Sequence, residues 1–162
     1  MLEILRDLAL KLLGALVPKL LGWLYKPARI EKDIKIRPLG EGEAVTLNAG
    51  DLPSVQIWLL VSNLSPFSLE LDRVLVQLQY GGVIGEFTSV RKVSMKPASE
   101  TQYKVESPLT SAQVRSTLRS RESFSYSTLY ITAYINCKVH NIEVHRNPQT
   151  SNVRVIGVPG AA

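Results

Sequence analysis

The sequence has one cysteine and two histidines, and this scarcity excludes several kinds of site. A single thiol, Cys137, forms no disulfide within the chain and cannot supply the two or more thiolates of many structural zinc sites. The sequence also has no phosphate-binding glycine motif and no recognisable Ser-His-acid arrangement. Glu70 and Asp72 are two residues apart and fit a solvated outer strand face better than acid–base catalysis. We therefore expect no enzymatic activity and no cofactor.

A metal site would have to use Cys137, His140 and His145, which lie close together in the sequence. In a continuous strand, odd and even positions face opposite sides, so the two histidines would point apart unless a turn intervenes. With three candidate ligands and no obvious fourth, we interpret all three as ordinary strand residues and Cys137 as a small buried hydrophobe. We expect no bound metal.

The positive charge is not concentrated on one segment, although the net charge is +5. Residues 1–29 hold five Lys or Arg against two acids, residues 30–109 hold eight against ten, and residues 110–162 hold six against two. Nucleic-acid binding usually needs basic residues clustered on one face or helix. We therefore expect no nucleic-acid partner, whereas the basic ends favour an anionic membrane surface.

The sequence also lacks the run of about 20 apolar residues that a membrane-spanning helix needs. Residues 1–26 are nevertheless leucine-rich, and their longest uncharged stretch runs from Leu12 to Pro18. Their apolar positions cover more than the stripe of about 100° that a surface helix of a globular protein buries. Pro18 predicts a kink or a break, with a second helical piece from Lys19 to Tyr25. Such a segment favours lying in the membrane interface.

We interpret residues 1–26 as a hydrophobic, amphipathic helix that anchors the protein. The residues assigned to this contact are Leu5, Leu8, Leu12, Leu13, Leu16, Lys19, Leu20, Trp23, Tyr25 and Lys26. Aromatic and basic residues at the end of the segment are typical of the headgroup level of a bilayer. The alternative is that the helix packs on the following domain or on copies of itself. Membrane anchoring and such packing are not mutually exclusive. A cleaved signal is disfavoured, because no small-residue cleavage site follows.

Residues 27–162 show two-residue periodicity with regularly spaced turns, which predicts a mainly β domain. We expect a fibronectin- or immunoglobulin-like antiparallel β-sandwich of about seven strands with one short helix. The predicted helix is Ala112–Arg119, with Thr110 or Ser111 as its N-cap. The seven predicted strands are Ile34–Arg37, Glu43–Leu47, Ser54–Ser62, Leu69–Tyr80, Val83–Met95, Ser99–Glu106 and Ser125–Lys138. A last hairpin of Ile142–His145 and Val153–Val158, around Asn147 and Pro148, is predicted to close the domain.

Local signals add detail within these strands. A change of face near Asp72 and Arg73 predicts a β-bulge. Gly81-Gly82 predicts a hairpin turn, and Gly85 a bend in the next strand.

The strand Ser125–Lys138 alternates clearly, and its odd-numbered face should be core. Its even-numbered face carries Tyr126, Tyr130 and Tyr134. This polar-tipped aromatic row is a candidate partner surface, although a cross-strand ladder would explain it too.

Residues 59–105 carry an ordered series of motifs. Asn63 precedes Pro66 and Phe67, an alternating strand follows, then Gly81-Gly82 and Gly85, and finally a Pro97-Ala98-Ser99 tract. This order resembles the water-stress and hypersensitive-response (WHy) domain of group-two late embryogenesis abundant proteins. The loop departs from the usual Asn-Pro-Asn of that family by placing Leu64 and Ser65 before the proline. The resemblance implies a seven-stranded sandwich, a non-enzymatic role, N-terminal membrane anchoring, and stress protection, partner binding or lipid binding.

These observations predict a membrane-associated, non-enzymatic module that binds a partner or lipid at the membrane surface, with a stress-protective role as a further implication of the resemblance. The alternative is a structural or assembly subunit that oligomerises through its N-terminal helix. The two differ in what removing residues 1–26 does. If residues 1–26 are an anchor, the shortened protein loses lipid binding. If they are an assembly element, it loses oligomerisation with or without lipid.

Overall fold

The computed structural model describes residues 25–40, 44–138, 140–151 and 153–157. Within these ranges the chain forms two helices and eleven strands, more than the one short helix and about seven strands predicted for residues 27–162. The helices are α1 (Pro27–Lys32) and α2 (Ser111–Ser123). The strands are β1 (Ile34–Pro38), β2 (Val45–Asn48), β3 (Ser54–Asn63), β4 (Leu69–Gln79), β5 (Val83–Ser89), β6 (Val93–Met95), β7 (Ser99–Pro108), β8 (Tyr126–Cys137), β9 (Asn141–Arg146), β10 (Gln149–Ser151) and β11 (Arg154–Ile156).

The first sheet is built around β3. Strand β7 pairs with β3 along its whole length, from Ser54 opposite Pro108 to Asn63 opposite Ser99. On the other side of β3, β1 and β2 follow one another, each antiparallel to it. Strand β11 joins the outer edge of β2 in parallel. The apolar stretch of β3 is therefore central in this sheet.

The second sheet is built around the antiparallel pair of β4 and β8. Strands β5 and β6 pair one after the other along the outer edge of β4. Strands β9 and β10 do the same along the outer edge of β8. As in the first sheet, two long antiparallel strands lie side by side, and two shorter strands follow one another along an edge.

Apolar side chains of both sheets form one buried cluster, which makes this a mainly β structure with a shared core. The alternation of each central strand supplies it, since successive side chains point to opposite faces. Tyr103 of β7 adds a polar link between the sheets: its hydroxyl lies 3.2 Å from the Ser89 carbonyl oxygen and accepts from the Arg91 N–H at 3.3 Å. The central contributors are Val55, Ile57, Leu59, Val61, Leu71, Val74, Val76, Leu78, Leu129, Ile131, Ala133 and Ile135.

Several local predictions are confirmed. The pairing of β4 with β8 shifts register between Leu71 and Arg73, which is the predicted bulge. Gly81 and Gly82 lie in the turn between β4 and β5, where the Tyr80 N–H donates to the Gly82 carbonyl at 2.8 Å. The odd-numbered residues of β8 from 129 to 135 are buried.

The strand predicted over Val83–Met95 is wrong as one element, because residues 90–92 separate β5 from β6. Gly85 lies within β5 beside a register shift that leaves Ile84 unpaired with β4. A Cβ on Gly85 would come within 2.6 Å of the Gln113 side chain of α2. The glycine therefore also permits a close approach of the helix, which the sequence alone does not reveal.

The predicted closing hairpin is also wrong. Strand β9 pairs with β8 in the second sheet, whereas β11 pairs with β2 in the first. The long strand β8 offers its outer edge to β9 and β10, so the chain then crosses to the other sheet. Predicted end residues Glu43 and Val158 lie outside the described residues.

Helix α2 is longer than predicted at its C-terminal end. It begins after Thr110, whose hydroxyl accepts from the Gln113 N–H at 3.3 Å while the Gln113 side chain accepts from the Thr110 N–H at 2.8 Å. This capping box confirms Thr110 as the N-cap. Val114 and Thr117 are the buried residues that attach the helix to the domain.

The buried side chain of Tyr80 is expected to make the free energy of unfolding fall at alkaline pH. Its hydroxyl donates to the Phe124 carbonyl at 3.0 Å, and burial raises its pKa above 10.0, with Arg121 offsetting part of the effect. Because the folded state favours the neutral phenol, its contribution is present below pH 10 and is lost as pH rises through the raised pKa. We expect Tyr80→Phe to cost about 1 kcal/mol at pH 7 and to flatten the loss of stability above pH 10.

Urea unfolding at pH 7 and at alkaline pH measures both effects. The control is Tyr130→Phe, which removes the same hydroxyl from an exposed side chain and should change the free energy of unfolding by less than about 0.5 kcal/mol. If the free energy of unfolding falls equally steeply above pH 10 for Tyr80→Phe and the unmodified protein, the buried phenol of Tyr80 is not the cause.

Candidate functional site

The two sheets have a common end at which the chain enters the domain. Asn63, the last residue of β3, pairs with Ile34 and Ser99, the first residues of β1 and β7. In the second sheet, Leu69 at the start of β4 pairs with Cys137 at the end of β8. We call this the junction end, because α1 leads into β1 here. The opposite end carries α2, the turn at residues 80–82 and the loop at residues 49–53.

Tyr25, the first described residue, is held firmly at the junction end. Its ring meets the Phe67 ring edge-on, with centroids 4.9 Å apart and planes at 89°. The Arg29 guanidinium lies 5.1 Å from the centroid of the Tyr25 ring. His140 Nε2 donates to the Tyr25 carbonyl oxygen at 2.9 Å. The chain therefore enters the domain at a fixed point.

Arg146 fixes the short helix that follows. Its Nη2 donates to the carbonyl oxygens of Glu31 at 2.9 Å and Ile34 at 3.0 Å, and its Nη1 lies 3.3 Å from the Glu31 carboxylate. Ile30, on the same helix, is fully buried. Because Arg146 belongs to β9 of the second sheet, these contacts tie α1 and β1 to both halves of the domain.

Asn63 organises the loop beside this junction. Its side chain is fully buried, and its Nδ2 donates to the carbonyl oxygens of Phe67 at 2.8 Å and Lys96 at 2.9 Å. Its Oδ1 accepts from the Ser65 N–H at 3.0 Å and from the Ser65 hydroxyl at 2.7 Å. The loop thus presents Leu64 outward, with 59% of its surface exposed.

The predicted tyrosine row lies on the outer face of the second sheet. Tyr126 and Tyr130 are 52% and 43% exposed, whereas Tyr134 is half-buried. The Arg73 guanidinium lies 4.3 Å from the centroid of the Tyr134 ring, so this ring is covered by a cation. A concavity of about 320 Å³ beside Tyr130 is lined in part by His145.

Two of the three candidate metal ligands, Cys137 and His140, are in contact, whereas His145 has other neighbours. His140 donates its backbone N–H to Cys137 Sγ at 3.3 Å, while its ring reaches Tyr25. His145 Nδ1 lies 3.2 Å from the Thr132 hydroxyl, and its Nε2 lies 3.4 Å from Glu143. Cys137, predicted to be a small buried hydrophobe, is half-buried. In the described part of the chain, no cluster of three such side chains could hold a metal ion.

Glu70 and Asp72 do share a surface, as their spacing predicts, and a lysine lies beside them. Lys92 Nζ lies 3.3 Å from the Glu70 carboxylate and 3.5 Å from that of Asp72. The hydrogen bond to Glu70, with the charge of both acids, raises the pKa of Lys92. The arrangement is a solvated ion-pair cluster.

Comparison with known proteins gives structural similarity only. No protein-family profile matches the chain, and no curated protein matches it. The Northeast Structural Genomics Consortium target SoR45 is similar with a TM-score of 0.47 and 10% identity, over 82% of this chain and 92% of that one. A protein from Archaeoglobus fulgidus has a TM-score of 0.45 and 14% identity, over 73% and 94%. A Bordetella pertussis protein has a TM-score of 0.47 and 12% identity, over 75% and 94%.

Of the predicted anchor residues, Tyr25 and Lys26 are placed at the junction end. The others lie outside the described residues: Leu5, Leu8, Leu12, Leu13, Leu16, Lys19, Leu20 and Trp23. Within the described ranges, neither helix has both the length and the apolar character required to cross a bilayer. Sequence reasoning missed the roles of His140 and Arg146, because their partners are more than 100 positions away in the chain.

Proposed function

We propose that the protein is a non-enzymatic, membrane-associated module with a fibronectin- or immunoglobulin-like β-sandwich. Residues 1–26 attach it to a bilayer, and the sandwich binds a lipid or protein partner near the surface. The observation that carries this proposal is the fixed junction at Tyr25, which joins a leucine-rich segment directly to the folded domain. A domain held in this way stays next to whatever its N-terminal segment binds.

The tyrosine face suits the partner-binding part of this role. Tyr126 and Tyr130 lie on the outer face of the second sheet, on a side of the domain rather than at the junction end. A protein attached through the junction end would leave that side open. Aromatic rings with polar tips offer large contact area at a small cost in conformational entropy. The resemblance to late embryogenesis abundant proteins adds stress protection as a further proposed role.

Liposome flotation tests the anchor with a matched pair of variants. Leu12→Glu with Leu16→Glu adds two acids to the N-terminal segment, whereas Val83→Glu with Val90→Glu adds them at exposed apolar positions of the domain. We expect the unmodified protein and the second variant to float with the vesicles and the first to remain in the dense fraction, because charged residues oppose insertion of the apolar face.

Light scattering without lipid separates the alternative function. An assembly subunit would form a defined oligomer that Leu12→Glu with Leu16→Glu disrupts, while none of the three proteins floats. That result would replace the membrane proposal with self-association through residues 1–26.

A further inference from the structure

We propose that the junction end is itself a membrane contact, which docks on the anionic headgroups of the bilayer that holds residues 1–26. This inference rests on the proposed function and adds a second contact and an orientation. The exposed cations at this end come from three separate parts of the chain. They are Lys26, Arg29, Lys32, Lys96 and Lys138.

These five cations are held on one end of the domain by the fold. Three flank or belong to α1, which Arg146 fixes, and Lys96 follows β6, where its carbonyl oxygen accepts from Asn63 Nδ2 at 2.9 Å. Lys138 follows the last residue of β8, which pairs with Leu69 at the start of β4. Segments that are distant in sequence therefore bring their positive charges together.

The local acids leave this end positive. The Glu31 carboxylate lies 3.3 Å from Arg146 Nη1, and Asp33 at the end of α1 is half-buried. Glu100, the second residue of β7, is exposed, and its carboxylate lies 3.6 Å from Arg37 Nη2. None of the five cations forms an ion pair with another described residue. An excess of exposed cations is complementary to the negative potential of a leaflet rich in anionic lipids.

The loop between β3 and β4 adds an apolar tip to this charged surface. Leu64 is 59% exposed and Pro66 is exposed, although Asn63 and Ser65 at the base of the same loop are buried. A buried polar base holds the tip in one conformation. An apolar tip at the same end of the domain as these cations suits the boundary between headgroups and acyl chains.

The position of Tyr25 determines which surface this end faces. The chain leaves residues 1–24 and enters the domain here, so an anchored segment brings the junction end to the bilayer first. The docked domain would then point its opposite end, with α2, into solution.

A pair of charge reversals tests the contact in the full-length protein. Lys96→Glu with Lys138→Glu changes the junction end, and Arg115→Glu with Arg119→Glu changes α2 by the same net charge. All four side chains are exposed, so both variants should fold, and their circular dichroism melts check this. We expect the first variant to bind vesicles of phosphatidylcholine with 30% phosphatidylserine about tenfold or more weakly than the unmodified protein, and the second about as well. In pure phosphatidylcholine vesicles, the first variant and the unmodified protein should bind alike.

A fluorescent probe reports orientation independently. In a Cys137→Ser background, an environment-sensitive label at Leu64→Cys should shift to the blue on phosphatidylserine vesicles. The same label at Leu52→Cys, an 84% exposed position at the opposite end, should not.

The outcomes separate the two proposals. If the full-length protein does not bind vesicles at all, both fail. If it binds, but the two charge reversals weaken binding equally or the label at position 64 stays in water, the anchor stands and the docking proposal is overturned.

Discussion

Replacing Asn63 with alanine is expected to lower the free energy of unfolding by about 3–5 kcal/mol. The side chain is fully buried and donates to the carbonyl oxygens of Phe67 and Lys96 at 2.8 and 2.9 Å. Its Oδ1 accepts two hydrogen bonds from Ser65. Alanine would remove these four hydrogen bonds, each worth about 1 kcal/mol, and would leave the buried Ser65 N–H without its acceptor, at a further cost of about 1–3 kcal/mol. The Lys96 carbonyl would keep the Ser99 hydroxyl at 2.6 Å and the Phe67 carbonyl the Ser65 hydroxyl at 3.4 Å, so these two acceptors add less.

Asn63→Asp separates hydrogen bonding from shape. Aspartate has nearly the same size, but it cannot donate as the amide does, and its negative charge would face the two carbonyl oxygens. We expect it to be at least as destabilising as alanine at neutral pH. The control is Asn136→Ala, because Asn136 is a half-buried residue of β8 at the junction end. This substitution should cost less than about 1 kcal/mol. Urea unfolding measures all three variants, and a cost below 1 kcal/mol for Asn63→Ala would contradict this role.

The network around Asn63 also shows the limit of sequence reasoning at the candidate site. The order Asn63, Pro66 and Phe67 marks a loop at the end of a strand, so the loop itself is predictable. The carbonyl oxygen of Lys96 is 33 positions away in the chain, and only the folding of two sheets brings it to Asn63. The motif therefore identifies the right residue without its partner.

The central strands could be predicted because each carries its own signal. In β8, the alternation of apolar and polar residues determines which face is buried, whatever strand pairs beside it. The break of alternation at Asp72 and Arg73 likewise marks the bulge in β4. Hydrophobic patterning thus determines the middle of both sheets.

The pairing of the short edge strands could not be predicted, because it depends on the rest of the fold. Strands β6 and β10 have three residues each, too few for a periodicity to be recognised. Strand β11 lies within the predicted strand Val153–Val158, but it pairs in the other sheet. Strand β9 follows β8 closely, so proximity in sequence and a Pro148 turn suggested a hairpin with the next strand. In the structure, β9 pairs with the outer edge of β8, and residues 154–156 pair with β2 in the other sheet.

The junction shows the same division between pattern and placement. The leucine-rich character of residues 1–26 is visible in the sequence, and so are the aromatic and basic residues where it ends. That Tyr25 packs on Phe67 and that Arg146 holds α1 follows only from the arrangement of the two sheets. The proposed anchor therefore comes from composition, and the proposed orientation from the fold.

Replacing Gly81 with alanine is the second large effect that we expect, about 2–3 kcal/mol of destabilisation. Gly81 has a φ of +67°, a left-handed conformation that costs an L-residue about 1 kcal/mol or more. A Cβ there would lie 2.4 Å from Cε2 of Phe124 and 2.9 Å from the Ser120 hydroxyl oxygen. The new methyl group must therefore displace the ring that follows α2, close to the Phe124 carbonyl oxygen bonded by Tyr80.

The neighbouring glycine supplies the control for this prediction. Gly82 has no positive φ, and a Cβ there would meet nothing within 4 Å. Gly82→Ala should therefore be neutral or slightly stabilising, because alanine restricts the unfolded chain. A double-mutant cycle of Gly81→Ala with Phe124→Ala isolates the clash with the ring. Removing the ring should recover the stability lost to that clash but not the stability lost to backbone strain. Equal stabilities of Gly81→Ala and Gly82→Ala by thermal and urea unfolding would refute the close packing of α2 against this turn.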